Sequence, residues 1–435
     1  MKKIAIVGGG AAGIYAAIAV LKYSIDSNIQ IDLYERNRRI GIKILISGGG
    51  KCNITHNASP KEIEDGFIPM EARFLRYALN ELTPQDVINF LSNNNLQTIT
   101  RPNGRVFPKS NNAEDVLLTF ENYLFENRVN ILTNNYVNGL VVENNKTIGI
   151  NINGKIKNYE CVIVTTGGKS YSKTGTTGDG IYWAEELGLK IVKVRPALAP
   201  IYFIKKPPSN WQGVSIRDGV LFIDPAKIVL QKILKLKTPI SWRDDFLLTH
   251  KGISGPSVLE ISRSVAYCKE LISEYKLNEK LFIYADLVPD KSFDELNIEW
   301  ANQKNNNGKI HIKTFIERFV PNAIAPYLLE SGDINLGTII SVATKLQRDN
   351  ILRLLKKWEI GEVQEVDLER GEVTAGGIDL NEINRITMES KKISGLFFAG
   401  EALDLAGRVG GYNLQAAFSS GFIAGRSAVE LLKKQ

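Results

Sequence analysis

Cysteine, methionine and histidine are all scarce in this 435-residue sequence, with three of each. Cys52, Cys161 and Cys268 form no Cys-x-x-Cys pair and no zinc spacing, so no disulfide framework, redox dithiol or structural metal is expected. Free thiols of this kind point to a reducing compartment, the cytoplasm. No apolar run approaches the ~20 residues that a membrane helix needs, which argues against a membrane partner. Met1-Lys2-Lys3 and the apolar residues after it imitate an export signal, but Gly8, Gly9, Gly10 and Gly13 interrupt the run. No large excess of one charge is concentrated anywhere, since the net +7 (54 basic, 47 acidic) is spread along the chain. The densest basic cluster, Lys227, Lys232, Lys235 and Lys237, alternates with Ile, Val and Leu and reads as a solvated strand face. Composition thus disfavours a nucleic-acid partner and leaves a chain of 44% hydrophobic residues, long enough for two or three domains.

What is present is glycine in a telling place. Val7-Gly8-Gly9-Gly10-Ala11-Ala12-Gly13 follows the apolar run Ile4–Val7, as a strand feeding a glycine-rich turn into a helix. Such a turn presents backbone N–H groups and a positive helix end to a dinucleotide pyrophosphate. A second strand, Ile29–Tyr34, ends in Glu35, placed ~20 residues on, where an acid can accept both hydroxyls of an adenosine ribose. An acid there disfavours a 2′-phosphate, so the choice lies between NAD and FAD.

Three further segments favour FAD. Ser47-Gly48-Gly49-Gly50-Lys51-Cys52-Asn53 offers a second stretch of bare backbone for a ribityl chain and ring. Cys161–Val164 is a buried strand ending at Thr165-Thr166-Gly167-Gly168, and Gly395–Ala399 is another, ending in Gly400-Glu401, an acid suited to a ribityl hydroxyl. No second Gly-x-Gly-x-x-Gly follows a strand, so there is no separate nicotinamide domain. NADH or NADPH would act only as a transient donor at the flavin, or the substrate would itself be the reductant.

Pro196 and Pro200 mark a change of character. Residues 1–194 are expected to form the first part of the FAD domain, with strands at 136–143, 148–153 and 160–165 and a helix opened by Asn111 and Glu114. Residues 195–365 are expected to be an insert, β-rich over 195–250 and mainly helical over 251–365. Helical spacing runs through Ser257–Ser273, Thr314–Leu329 and Asn335–Lys357, and Asn302–Gly308 reads as a mobile loop. Residues 366–435 return to the FAD domain and end in a helix over Leu414–Leu432. Its small residues suit either a close approach to a planar cofactor or tight packing on the first βαβ unit.

Four runs carry a resemblance: Gly48–Thr55, Gly104–Pro108, Thr249–Pro256 and Gly410–Gln415. They resemble the BaiN/YhiN-like flavoproteins, often labelled aminoacetone-oxidase-like. The resemblance spans nearly the whole chain and implies an α/β, Rossmann-like FAD domain of the two-dinucleotide-binding-domain type, interrupted by a β-rich and helical insert. It implies an FAD-dependent oxidoreductase acting on a small or medium organic substrate bound between domain and insert. The reaction would be NAD(P)H-driven reduction of an activated C=C bond, or oxidation of an amine by oxygen. A flavoprotein that modifies or binds RNA is the alternative. Lys51 departs from the arginine frequent in the family, keeping the charge but losing bidentate geometry.

The residues expected against FAD are Gly8, Gly10, Ala11, Ala12, Gly13, Glu35, Arg36, Lys43, Ser47, Gly48, Gly49, Gly50, Lys51, Cys52, Asn53, Val137, Thr166, Gly167, Gly168, Gly400, Glu401, Gly411, Asn413, Leu414 and Gln415. Two residues are candidates for the chemistry. His250 is either a general acid or base, or a brace at the domain junction, and Arg105 is either an anchor for an anionic substrate or a surface ion pair. Cys52 without a partner thiol reads as packing. His56 and His311 have no supporting constellation in the sequence.

Overall fold

The computed structural model describes residues 2–25, 28–224 and 240–434. The lysine cluster at 227–237 lies outside the described residues. The chain divides into two compact units, residues 1–195 with 368–435, and residues 196–367.

The first unit is built on a five-stranded parallel sheet in the order Leu396–Phe398, Cys161–Val164, Lys2–Val7, Ile29–Tyr34, Asn130–Leu132. Strands buried on both faces read as unbroken apolar runs, which is why Ile4–Val7 and Cys161–Val164 stand out in the sequence. The switch from strand to helix at Gly8–Gly10 puts the glycine turn at the C-terminal edge of the sheet, where ligands of such folds bind. The helix Ala11–Tyr23 and the C-terminal helix Tyr412–Lys434 lie against each other. A Cβ on Gly421 would stand 2.1 Å from the Ala12 carbonyl oxygen, and one on Gly425 would stand 2.2 Å from that of Ala16. These two small residues of the last helix therefore serve packing on the first βαβ unit.

Around the sheet lie two smaller antiparallel sheets. One is the meander Gly139–Glu143, Lys146–Ile152, Lys155–Asn158, and the other pairs Thr55–His56 and Thr98–Thr100 with Arg105–Pro108. The helix Ala113–Glu126 is capped by the Asn112 side chain, one residue later than Asn111, which itself takes a left-handed conformation.

The second unit is a closed six-stranded antiparallel barrel. Its order is Ile201–Phe203, Gly252–Ser254, Ser241–Leu248, Ser215–Ile223, Phe282–Asp286, Trp358–Val366, closing back on the first. Three of these strands fall in the stretch whose spacing reads as mainly helical. Two helical expectations also fail in detail. Thr314–Leu329 is broken into Ile312–Ile316 and Ala325–Ser331, because Pro321 cannot continue a helix. Within Asn335–Lys357 only Lys345–Lys356 is α-helical, started by a capping box between Thr344 and Gln347. The polar stretch Asn302–Asn307 is the end of the helix Phe293–Asn307 rather than a loop. A Ser292–Glu295 capping box starts that helix, and Leu296 and Trp300 anchor it in the barrel-side core.

Candidate functional site

The glycine turn is shaped for a ligand by what is missing from it. A Cβ on Gly8 would sit 2.4 Å from the Thr165 carbonyl oxygen, and one on Gly13 would sit 1.9 Å from the carbonyl oxygen of Gly8, so both serve close packing. Gly10 differs: a Cβ there would meet nothing within 4 Å, and the same holds at Gly49. Both face open space, as backbone that leaves room for phosphate or ribityl atoms does. Ala11 and Ala12 form the first turn of the helix whose free N–H groups point into that space.

Glu35 lies at the end of its strand, 8% exposed, with Oε2 accepting from Gly9 N (2.9 Å) and Oε1 accepting from Asn37 N (2.8 Å). Burial pushes its carboxyl above the usual value, against the pull of these N–H donors. A carboxylate has about four acceptor positions, so capacity remains for ligand hydroxyls. Arg36 turns to Thr177 Oγ1 (2.6 Å) and Asp179 Oδ2 (3.1 Å) and lies over the Tyr136 ring at 4.7 Å, next to buried Val137. Thr166 Oγ1 accepts from Gly180 N (3.1 Å), holding the turn through Gly167 to the following helix.

Glu401 has more company than a ribityl contact alone requires. Its Oε2 accepts from Lys43 Nζ (2.8 Å), and its Oε1 accepts from Ser170 Oγ (3.1 Å) and Thr374 N (2.9 Å). Thr374 Oγ1 in turn accepts from the N–H groups of Lys169 and Ser170. Gly168 is bare because a Cβ would lie 2.7 Å from Glu401 Oε1. Lys43 thus acts as a point charge toward Glu401, while Gly400 packs close to Ala12.

Ser47–Gly50 forms a short turn, with Gly48, Gly49 and Gly50 in left-handed conformations and exposed, as is Lys51. Cys52 is fully buried, and burial pushes its thiol up to about 12, so it is an inert packing residue. Asn53, with its amide turned to suit its neighbours, donates to Thr55 O (3.1 Å) and Val106 O (3.2 Å) and accepts from Gly411 N (3.1 Å). Gln415 is buried, accepts from Thr55 Oγ1 (2.7 Å) and donates to Leu82 O (2.9 Å). Asn413 bridges Gly407 N and O, and Leu414 lies half-buried in the same first turn of the last helix. Asn53, Gln415 and Asn413 therefore brace the backbone of the site with their side chains.

Arg105 stands beside His56, a residue that no neighbouring motif marks. His56 and Arg105 are cross-strand partners, and His56 Nδ1 lies 3.2 Å from the Gly410 carbonyl oxygen, with its ring stacked on Tyr412 at 5.1 Å. The carboxyl of Glu372 is raised by desolvation, against the lowering charges of Arg105 and Lys43. His250 belongs to the second unit, exposed at the bend between Ser241–Leu248 and Gly252–Ser254. The glycines of its run serve the barrel: a Cβ on Gly252 would lie 2.1 Å from the Ile201 carbonyl oxygen.

Comparison with known proteins follows the same outline. A family model described as HI0933-like protein Rossmann domain matches residues 2–427. The chain is 30% identical over 430 residues to a 3-dehydro-bile acid delta(4,6)-reductase of Clostridium scindens, covering 99% of this chain and 100% of that one. It is 28% identical over 422 residues to a ribosomal RNA dihydrouridine synthase of Haemophilus influenzae, covering 96% of each. Among solved structures, 3-ketosteroid delta1-dehydrogenase from Sterolibacterium denitrificans superposes with a TM-score of 0.53 at 13% identity, over 99% of this chain and 100% of that one. That likeness is one of fold. No helix among the described residues is long and apolar enough to cross a membrane.

Proposed function

The chain belongs to the HI0933-like Rossmann-domain family, and from this premise we propose that it is an FAD-dependent oxidoreductase that reduces a C=C bond conjugated to a carbonyl. The observation that carries the reading is bare backbone at Gly10, with open space where a Cβ would stand, next to the buried carboxylate of Glu35, together with the Lys43–Glu401 pair; these suit an extended FAD. Bound there, FAD supplies two-electron chemistry. The protein's own part is to hold it. Glu35 would accept the ribose hydroxyls, the N–H groups at Ala11 and Ala12 would face the pyrophosphate, and Glu401 would stand toward the ribityl chain.

The names of the relatives support reduction over amine oxidation. One is a bile-acid reductase and another makes dihydrouridine in ribosomal RNA, and both reactions add two hydrogens across a C=C bond beside a carbonyl. NADH or NADPH would be the transient donor. For His250, exposed at a bend of the barrel unit, two readings separate by experiment: His250→Ala lowers turnover per bound FAD about 10²-fold at unchanged FAD content if the residue is a general acid or base, and lowers the melting temperature with turnover per bound FAD unchanged if it is a structural brace. Three free, buried cysteines support a cytoplasmic setting.

A second reading, with ribosomal RNA as substrate, draws on the dihydrouridine synthase relative alone, since the net charge of +7 is spread along the chain. Product analysis tests both. The holoenzyme is incubated anaerobically with NADPH or NADH and either a 3-oxo-4-ene steroid or unmodified ribosomal RNA, and the product is weighed by mass spectrometry. A gain of two hydrogens in one of them is expected. Gain in neither, with an amine oxidised instead, contradicts the reading. Retention of RNA on a filter that falls steeply as salt rises would separate RNA docking from the small-molecule case.

A further inference from the structure

The net charge is spread along the whole chain, yet the fold joins two stretches that contain no acid at all. Between Glu35 and Glu62 lie six lysines and arginines and no Asp or Glu, and between Asp86 and Glu114 lie three. The first stretch supplies the strand Thr55–His56, and the second supplies Thr98–Thr100 and Arg105–Pro108, which pair into one small antiparallel sheet. Arg36, Arg39, Arg217 and Arg243 each pair with an Asp or Glu. In contrast, Arg101, Arg105 and Lys109 of this sheet, and Lys51 on the turn before it, make no ion pair among the described residues.

Direct contacts fix where these cations stand. Arg105 and Phe107 share one face of their strand, and Lys109 comes next in the same alternation. The Arg101 guanidinium stacks on the Phe107 ring, 3.7 Å from its centroid, and its Nη2 donates to Asn111 Oδ1 (3.0 Å). One plane of the guanidinium therefore rests on the ring and the other is turned away from it. Lys109 Nζ donates to Gln97 Oε1 (3.1 Å), a neutral partner that leaves its charge uncompensated. The sheet borders the turn Ser47–Gly50: a Cβ on Gly48 would lie 3.3 Å from the Phe107 ring edge, and the Asn53 amide donates to Val106 O (3.2 Å). Lys51 is exposed directly after that turn.

We propose that this sheet is a docking surface for single-stranded RNA, with Lys51, Arg105 and Lys109 against phosphates and the outer plane of Arg101 against a base. This rests on the reading of RNA as substrate and names the surface that holds it. Cations without carboxylate partners release counterions when they meet phosphates, which drives binding without regard to sequence. A guanidinium plane takes an unstacked base, and only a single strand offers one. A small apolar substrate has no use for four uncompensated cations side by side.

The test is binding of a short fluorescein-labelled single-stranded RNA to the holoenzyme, followed by anisotropy over a series of salt concentrations. Saturable binding is expected. Lys51→Gln combined with Lys109→Gln, both exposed, should weaken it about tenfold, with bound FAD per chain and melting temperature unchanged. The slope of log affinity against log salt should fall by about 1.4, two phosphate contacts at about 0.7 each. Arg101→Lys, which keeps the charge and lacks the plane, should bind several-fold more weakly at an unchanged slope. Lys146→Gln combined with Lys155→Gln, exposed on the meander, removes as much charge elsewhere and should leave the affinity as it was. No saturable binding, an equal loss in the meander variant, or tighter binding to duplex RNA or to anionic lipid vesicles overturns the surface. RNA that is reduced with an affinity indifferent to these residues refutes the surface and leaves that reaction standing. RNA held through them and not reduced keeps the surface and refutes RNA as substrate.

Discussion

At the residue scale, Glu35 carries the most weight for its size. It ties the glycine turn to the second strand through Gly9 N and still has acceptor capacity facing the cradle. Glu35→Ala should weaken FAD binding by about 1–3 kcal/mol, since two ribose hydroxyls lose their acceptor. A fluorescence titration giving unchanged affinity would place the acid elsewhere. Its raised carboxyl adds a pH signature. The folded protein holds this proton to higher pH than the unfolded chain does, so the group costs stability as pH rises through the window above the ordinary glutamate value. The melting temperature of apoprotein should show that slope, and Glu35→Gln should flatten it. His56 shows the limit of reading residues singly. Nothing near it in sequence marks it, because its partners Arg105, Gly410 and Tyr412 arrive from two distant segments.

At the scale of elements, the glycine turn separates ligand space from packing space. Gly10→Ala, with φ −77 and open space for the methyl group, should leave the apoprotein melting as before while sharply weakening FAD uptake. Gly13→Ala should do the opposite first and destabilise the apoprotein by more than about 1 kcal/mol, because its Cβ meets backbone. Paired melting curves and FAD titrations on the two variants check this. Gly421→Val in the last helix should likewise cost about 1–3 kcal/mol in apoprotein stability, read as a lower melting temperature.

These elements also show what was legible. The parallel strands and the glycine turn could be read because each is an unbroken local pattern: apolar run, then glycine, then helix. The barrel could not, since Gly252–Ser254, Phe282–Asp286 and Trp358–Val366 are separated by helices and pair only in three dimensions. Phe282–Asp286 does alternate between buried and partly exposed residues, a signal present but short. The helix Phe293–Asn307 was hidden by its polar end, although Ser292 and Glu295 announce its start.

At the scale of the whole molecule, the glycine turn, Glu35 and Glu401 all belong to the first unit, and the barrel of the second unit is complete in itself. In the proposed reaction a bound FAD would be the redox centre, reduced by one partner and reoxidised by the other. Its two half-reactions give the most direct measurement of the central claim. Purified yellow protein is reduced anaerobically with NADPH or NADH, then mixed rapidly with a 3-oxo-4-ene steroid or with unmodified ribosomal RNA while flavin absorbance is followed. The account predicts reoxidation by one of these conjugated substrates far faster than in buffer alone, with loss of the substrate C=C bond in equal amount. Reduced flavin that waits unchanged for oxygen in the presence of both would contradict it.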